Sequence, residues 1–511
     1  MYSQNIDAGT TPVRIARHSL LNFSTQIGLM LLAIWAIPII VSGISEVKFG
    51  LLTLILVFLG YFSLLDLGIG IASTKYVSEL RARGEQLQLR QLAWTSLLAT
   101  TGIGMVAAMC ITLATPFIVD SLFNIPASFA AEARTGLYVA SISLPFVVLY
   151  GSVRGFQIAH EHFGIVNFFT AAIGIGQWLG AAILVWLGFG FTEIVVLIAV
   201  VRIAVALGML TTVPMLFQDF FSRSPRWNFR ILKNVLSFGG WVTLSHLVAP
   251  VFQHVDRLML AAFWSLAAVT YYSVPLDALL RLLIVPTSLT MALFPAISSA
   301  TADERSSQEI VSVSVRIVRL LLYGLLPAVL VLVAFSDVIL TLWMGSDFSA
   351  QSAPVLKILA VGVLFNALAQ IPVTVLLGIG RPDVPPKLLL IEIPLMLLML
   401  VLLIPRYGIV GAGIAWSLRV TIDAALLFIL TSRLVTGFDR VRDRWVKSAL
   451  FVLIVLSVAF SVVVFDAVTT RILFVGAALV LYAAGVWLFG LDGADRQMVL
   501  SFVQRVRPSG R

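Results

Sequence analysis

The 511-residue sequence predicts an all-α, polytopic membrane protein of about fourteen transmembrane helices, with both termini in the cytoplasm. Three observations carry that prediction. Hydrophobic residues make up 60% of the chain and charged residues 12%, whereas a soluble globular chain is about 45–50% apolar and about 25% charged. The apolar residues fall in runs of roughly 20–30, long enough for a hydrocarbon core of about 30 Å. Lys and Arg gather on one side of those runs.

The runs place helices at about 19–42, 49–73, 91–119, 135–158, 163–188, 192–216, 234–263, 268–297, 312–335, 353–379, 386–404, 408–431, 447–466 and 472–490. The first, Ser19–Ser42, is too long for the apolar region of a secretory signal, about 7–15 residues, and no small-residue cleavage site follows it. It reads as a retained span. The short connections at 43–48, 189–191, 264–267, 405–407 and 467–471 suit tight helical hairpins.

With the N-terminus inside, five of the 34 Lys and Arg lie outside: Lys48, Arg134, Lys357, Arg406 and Arg471. Four more lie within spans (Arg202, Arg257, Arg281 and Arg419), and the remaining 25 lie on the cytoplasmic side. The net charge of +9 therefore reports topology and contact with lipid headgroups, and excludes a nucleic-acid partner. The longest outside loop, about 336–352, leaves no room for a folded outer domain, which counts against a membrane polymerase or ligase. The single cysteine, Cys110, excludes an internal disulfide and reads as a buried structural thiol. No GxxxxGK[ST] motif occurs, so ATP does not drive the protein directly. His160, His162, His246 and His254 lack the acid or thiol that would complete a tetrahedral metal site. No cofactor is implied.

The chain also echoes itself. RGFQIAHEHF at 154–163 precedes two spans joined at GFGF, 188–191; LLGIGRPDVP at 376–385 precedes two spans joined at PRYGIVG, 405–411. The echo divides the chain into a first half, 1–225, holding helices 1–6, a second half, 226–435, holding helices 7–12, and an appended segment, 436–511, with helices 13–14 and a basic tail. Internal repeats of this kind are a common transporter construction, with the substrate site between the halves.

The chain resembles the Wzx-type polysaccharide-repeat flippases of the multidrug/oligosaccharidyl-lipid/polysaccharide exporter superfamily. The resemblance rests on LLDLGIGIASTKYVSE at 64–79, HVDRLMLAAFWSLAAVTYYSV at 254–274 and LFPAIS at 293–298. LLGIGRPDVPPK, followed by IPRYGIVGAGIAWS, completes it. It implies a non-enzymatic flippase in a bacterial cytoplasmic (inner) membrane. Such a protein moves an undecaprenyl-pyrophosphate-linked oligosaccharide to the outer leaflet, for O-antigen, capsule or exopolysaccharide. Candidate partners are that lipid-linked oligosaccharide, membrane lipids, and the polymerase and chain-length machinery. The rival readings are a lipid II flippase, a cation-coupled drug antiporter of the same fold, a membrane glycan polymerase or ligase, and a non-transporting scaffold.

A charge at a helix centre costs about 2.5–3.5 kcal/mol on insertion scales, so it needs a cavity or a partner. Arg281 and Asp277 share one face of helix 8. They form either a self-neutralising pair or a phosphate contact with Asp277 as gate. Asp256 and Arg257 point about 100° apart, so one of them faces the cavity or another helix; their place in the family-like stretch HVDRLML makes Arg257 a ligand candidate and Asp256 a gating one. Arg154 and Arg17 are either contacts at the cytoplasmic mouth or anchors snorkelling to headgroups. Arg202 has no carboxylate three or four residues away. Asn366 and Gln370 form a polar stripe for sugar hydroxyls or for interhelical hydrogen bonds. Arg419 and Asp423 share the one-turn spacing, and the resemblance, which places their helix toward the outside of its bundle, implies a structural role. Asp66, in helix 2 ahead of Gly68 and Gly70, would repel a pyrophosphate, so it reads as a latch or proton site. Gly174, Gly176 and Gly180, with Gly408, Gly411 and Gly413, read as points of close helix packing.

Overall fold

The computed structural model describes residues 11–64, 69–217, 254–300, 306–435 and 467–490, with isolated positions at 220, 228, 229, 231, 455, 457, 458, 461 and 496. Among the described residues all regular structure is helical, and ten helices are long and apolar enough to cross a membrane. The expected second span is α2 (Glu46–Leu64) with the start of α3 (Ile69–Ala82). The expected spans 234–263 and 447–466 lie mostly outside the described residues, as do Asp66, Gly68 and His246.

The chain forms two compact units, Met1–Val274 with Leu397–Ala412, and Pro275–Met396 with Gly413–Arg511. In the first, α1 (Thr11–Ile44) and α2 precede α3, α4 (Gln86–Phe117) and α5 (Ala130–Ala159). Then come α6 (Phe163–Ile175), α7 (Ala181–Trp186), α8 (Phe191–Leu210) and α9, residues 254–263. The central helix is α5, against which α2, α3, α4 and α8 all pack. Small residues allow that crowding. A Cβ at Gly104 of α4 would lie 2.5 Å from the Cα of Pro145, and one at Gly155 of α5 would overlap the carbonyl of Gly70 on α3. Thr74 ties the second crossing, its hydroxyl placed 3.0 Å from the carbonyls of both Gly70 and Gly155. Close backbones joined by hydroxyl groups are what hold helices together where lipid removes the hydrophobic drive.

Helix α10 (Leu266–Leu280) leads into the second unit. There α11 (Ile284–Ala300), α12 (Ser306–Ala334), α13 (Ser336–Met344), α14 (Ser346–Gly378), α15 (Val384–Leu434) and α16 (Val468–Gly485) follow. Here α14 is central, in contact with α11, α12 and α13. Helix α5 belongs to a span with 61% of its apolar window buried, and α14 to one with 67%, the two highest values among the candidate spans. Each unit is thus built around one buried helix.

The helices α5 and α14 end in the same way. After α5, His162 N–H reaches Gln157 C=O at 3.0 Å across Glu161, φ 61°; after α14, Arg381 N–H reaches Leu376 C=O at 2.8 Å across Gly380, φ 77°. Both are Schellman-type ends with a left-handed residue.

The expected break at 405–407 is a turn centred on Gly408 (φ 56°, ψ −129°) inside α15. A Cβ at Gly411 would overlap the Leu403 carbonyl, although eight residues of straight helix would separate them by about 12 Å. The chain therefore doubles back, with the Trp264 indole against Gly408. The other glycines also pack closely. Cβ atoms at Gly174, Gly176, Gly180 and Gly413 would meet Leu29, Val201, Leu197 and Val355 at 2.5–2.8 Å.

Cys110 corrects the sequence reading: it is exposed. It shares α4 with the exposed Met105, Val106, Met109, Leu113 and Phe117. In a membrane-spanning helix the apolar side chains face outward as readily as inward, so an apolar neighbourhood does not place a thiol in the core.

Candidate functional site

The charges inside the spans differ in their surroundings from one helix to the next. In the first unit, Arg202 on α8 points an Nη2 at Gln177 Oε1, 3.4 Å away, while its buried Nε has no hydrogen-bond partner. Gln177 lies on the π-helical turn Gly176–Gly180 between α6 and α7. The guanidinium thus rests on a neutral amide and keeps its charge uncompensated by any ion pair found among the described residues. Sequence spacing could not find Gln177, because it sits on another helix.

Asp256 is fully buried and Arg257 is 5% exposed. Asp256 accepts from the Arg257 backbone N–H at 2.8 Å and from the Tyr272 hydroxyl at 2.5 Å. Its carboxyl therefore connects α9 to α10. Arg154 is the one exposed residue of 151–160. Beside it, Gln157 donates to Thr212 Oγ1 at 2.5 Å and shares a 3.0 Å hydrogen bond between its Oε1 and His162 Nδ1. Burial lowers the His160 imidazole from its ordinary value, opposed by its hydrogen bond to the Phe156 carbonyl. For Arg17 only the helical backbone at the start of α1 is described.

In the second unit, Arg281 opens the 3-10 turn Arg281–Leu283 that separates α10 from α11. It is half-buried, and Asp277, one turn earlier, acts on it electrostatically. That turn packs on α14. Six residues beyond Arg281, Thr287 donates to Gln370 Oε1 of α14 at 3.1 Å. Asn366 lies one turn earlier on α14 and is also half-buried. The unit thus brings a guanidinium turn, a hydroxyl and two amides onto neighbouring elements, groups suited to an anion and to sugar hydroxyls.

Besides Asp423, which its sequence spacing gives, Arg419 has a partner on the other arm of α15. Its Nη1 lies 3.2 Å from Glu392 Oε2 in the opposite arm of α15, and both side chains are buried. Asp423 is also close, its carboxyl in hydrogen-bonding reach of Glu392. Glu392 escaped the sequence reading, yet it carried a signal: it is the lone acid in the run LLLIEIPLMLLML, 388–400. Among the described residues no three His, Cys, Asp or Glu side chains gather as a metal site.

Ten apolar helices among the described residues, long enough to cross a membrane and several with cations, amides and acids inside them, define a multi-pass membrane protein. The chain belongs to the polysaccharide biosynthesis protein family, whose model matches residues 15–301. It is 24% identical over 413 residues to a Shigella flexneri protein named "Putative O-antigen transporter", covering 80% of this chain and 96% of that one. Its fold matches a structure described as lipid II flippase MurJ in an inward closed conformation. The TM-score is 0.70 at 13% identity, over 92% of this chain and 98% of the other. It also matches an inward-facing multidrug resistance MATE family transporter of the MOP superfamily. There the TM-score is 0.66 at 15% identity, over 83% and 99% of the two chains.

Proposed function

We propose that this chain is a flippase. It carries an undecaprenyl-pyrophosphate-linked oligosaccharide repeat unit from the cytoplasmic to the periplasmic leaflet of a bacterial inner membrane, for surface polysaccharide. The observation that carries this reading is the near full-length likeness to the Shigella flexneri protein, together with the family match. Transport proceeds by alternating access between two six-helix halves, 1–225 and 226–435, with helices 13–14 appended and both termini cytoplasmic. The buried central helices α5 and α14 support the repeat.

In this reading Arg281, Arg257, Arg202, Arg154 and Arg17 meet the pyrophosphate along its path, since a guanidinium fork matches phosphate oxygens. Asn366 and Gln370 meet sugar hydroxyls. Asp66, Asp256 and Asp277 act as gates, because a carboxylate repels the pyrophosphate and pairs with the cations as the path closes. Polymerase and chain-length proteins receive the delivered unit.

The test is complementation of a flippase-deficient strain with Arg257→Ala, Arg281→Ala and the double variant, scored by surface glycan at matched expression. We expect at least a tenfold loss in the double variant, equivalent to about 1.4 kcal/mol of lost stabilisation. Full activity in the double variant rejects those ligand assignments.

A further inference from the structure

We propose that the tip of the α9–α10 hairpin is a plug in the outer mouth of the first unit, held there by uncharged contacts from Gly50, Thr270 and Asn124. Its role in transport rests on the flippase reading; the plug itself does not.

By sequence the hairpin belongs to the second half, 226–435, yet its tip lies within the first compact unit. Leu260 and Ala261 near the end of α9 are fully buried, and so are Val269, Thr270 and Tyr272 on α10. Phe263 and Trp264, at the turn between them, are 46% and 47% exposed. The tip therefore reaches the surface while both of its arms are enclosed by protein. Asp256 of α9 holds the Tyr272 hydroxyl at 2.5 Å, so the two arms move as one body.

Helix α2 receives the hairpin at Gly50. A Cβ there would overlap the Leu266 carbonyl and lie 3.1 Å from Thr270 Oγ1, so the two backbones touch. One turn earlier on α2, the Glu46 carbonyl accepts from the Thr270 hydroxyl at 2.6 Å. From the other side, Asn124, in the connection between α4 and α5, covers the end of α9. Its backbone N–H donates to the Ala261 carbonyl at 3.0 Å, and its Nδ2 to those of Ala262 at 2.9 Å and Trp264 at 3.4 Å. The last carbonyls of a helix have no partner within the helix, so a donor from elsewhere in the chain fixes where this helix ends.

These contacts lie on the side that the Lys and Arg distribution assigns to the outside, where the connections 43–48 and 264–267 fall. They close the mouth by shape and can be undone. Water can replace the donors of Asn124 and Thr270 at small net cost, whereas the Gly50 crossing admits the hairpin only because no side chain stands there. The ion pairs nearby on that side, Lys48 with Glu132 at 2.9 Å and Arg134 with Asp120 at 2.6 Å, join residues of the first half to one another. Withdrawal of the tip leaves both intact. Arg257 lies one turn before Ala261 on α9, so the plug cannot leave without moving that guanidinium. Opening of the outer mouth is thereby tied to displacement of a proposed pyrophosphate contact.

The test places single cysteines in the full-length Cys110→Ala protein and labels intact cells with a membrane-impermeant maleimide. We expect Val269→Cys to react at least tenfold more slowly than Phe189→Cys, and Gly50→Leu to raise the Val269→Cys rate at least tenfold by holding the hairpin out. Equal rates with and without Gly50→Leu overturn the proposal. If Gly50→Leu fails to accumulate, the pair Asn124→Cys and Ala262→Cys carries the test: it should form a disulfide on oxidation, and a pair that does not cross-link contradicts the cap. In proteoliposomes loaded with an undecaprenyl-pyrophosphate-linked oligosaccharide, the oxidised pair should stop flipping and a reductant should restore it. Undiminished flipping by the oxidised form overturns the role in transport. The expected labelling pattern in a protein of which no form flips rejects the flippase reading and supports the plug.

Discussion

Asp337 opens α13 and holds Arg471 of α16 at 2.6 Å, the clearest residue-scale contact outside the candidate site. Burial acts to raise this carboxyl, but hydrogen bonds from Arg471 and the Val338 backbone outweigh it and hold it below the ordinary carboxylate range. A depressed carboxyl stabilises the fold above its unfolded value, about 3.9, and that contribution is lost as pH falls through the lower folded value. Asp337 is partly exposed, so screening limits the pair to about 0.5–1 kcal/mol. Thermal midpoints of wild type and Asp337→Asn should differ at pH 7 and draw together as pH falls below the unfolded value of about 3.9; a gap that does not narrow in acid assigns the loss to something other than this pair. Single residues were legible in the sequence where the partner sits on the same helix, as Asp277 does for Arg281. They were illegible where it comes from another. Arg419 was read with Asp423 because helical spacing reports one cylinder at a time, while Glu392 lies 27 residues away across a turn. The same limit hid Gln177 from Arg202 and Tyr272 from Asp256.

At the scale of elements, helix positions were legible and their terminations less so. The glycine runs foretold close packing, and Gly155 shows its consequence: a side chain there meets the Gly70 carbonyl. Gly155→Val should push α3 from α5 and cost about 1–3 kcal/mol, read as a lower thermal midpoint with the Thr74 bridge broken; an unchanged midpoint contradicts the close crossing. Glu161 presents the opposite case. It occupies a left-handed conformation, φ 61°, at the cap where the second unit uses Gly380. Glu161→Gly should therefore stabilise the protein by roughly 0.5–1 kcal/mol, seen as a raised midpoint. The sequence does not show the backbone angle that makes one cap strained and the other relaxed.

For the whole molecule, composition and charge asymmetry carried the architecture, since an apolar chain this long has few ways to satisfy its backbone in lipid except as helices. The orientation drawn from Lys and Arg has a direct test. With Cys110 replaced by Ala, a cysteine at Glu161 should react with a membrane-impermeant maleimide only after the cells are opened, and one at Phe189 in intact cells. The reverse pattern inverts the topology. The side chains that make up the proposed path were legible only as candidates, because sequence names the charges but not which helices carry them toward each other. The outward-facing thiol of Cys110 has a further use. As the sole sulfhydryl, on an apolar face of α4, it makes the natural protein a ready-made spectroscopic reporter. A polarity-sensitive fluorophore attached there would register whether that stripe meets acyl chains or water, and whether its surroundings change during turnover.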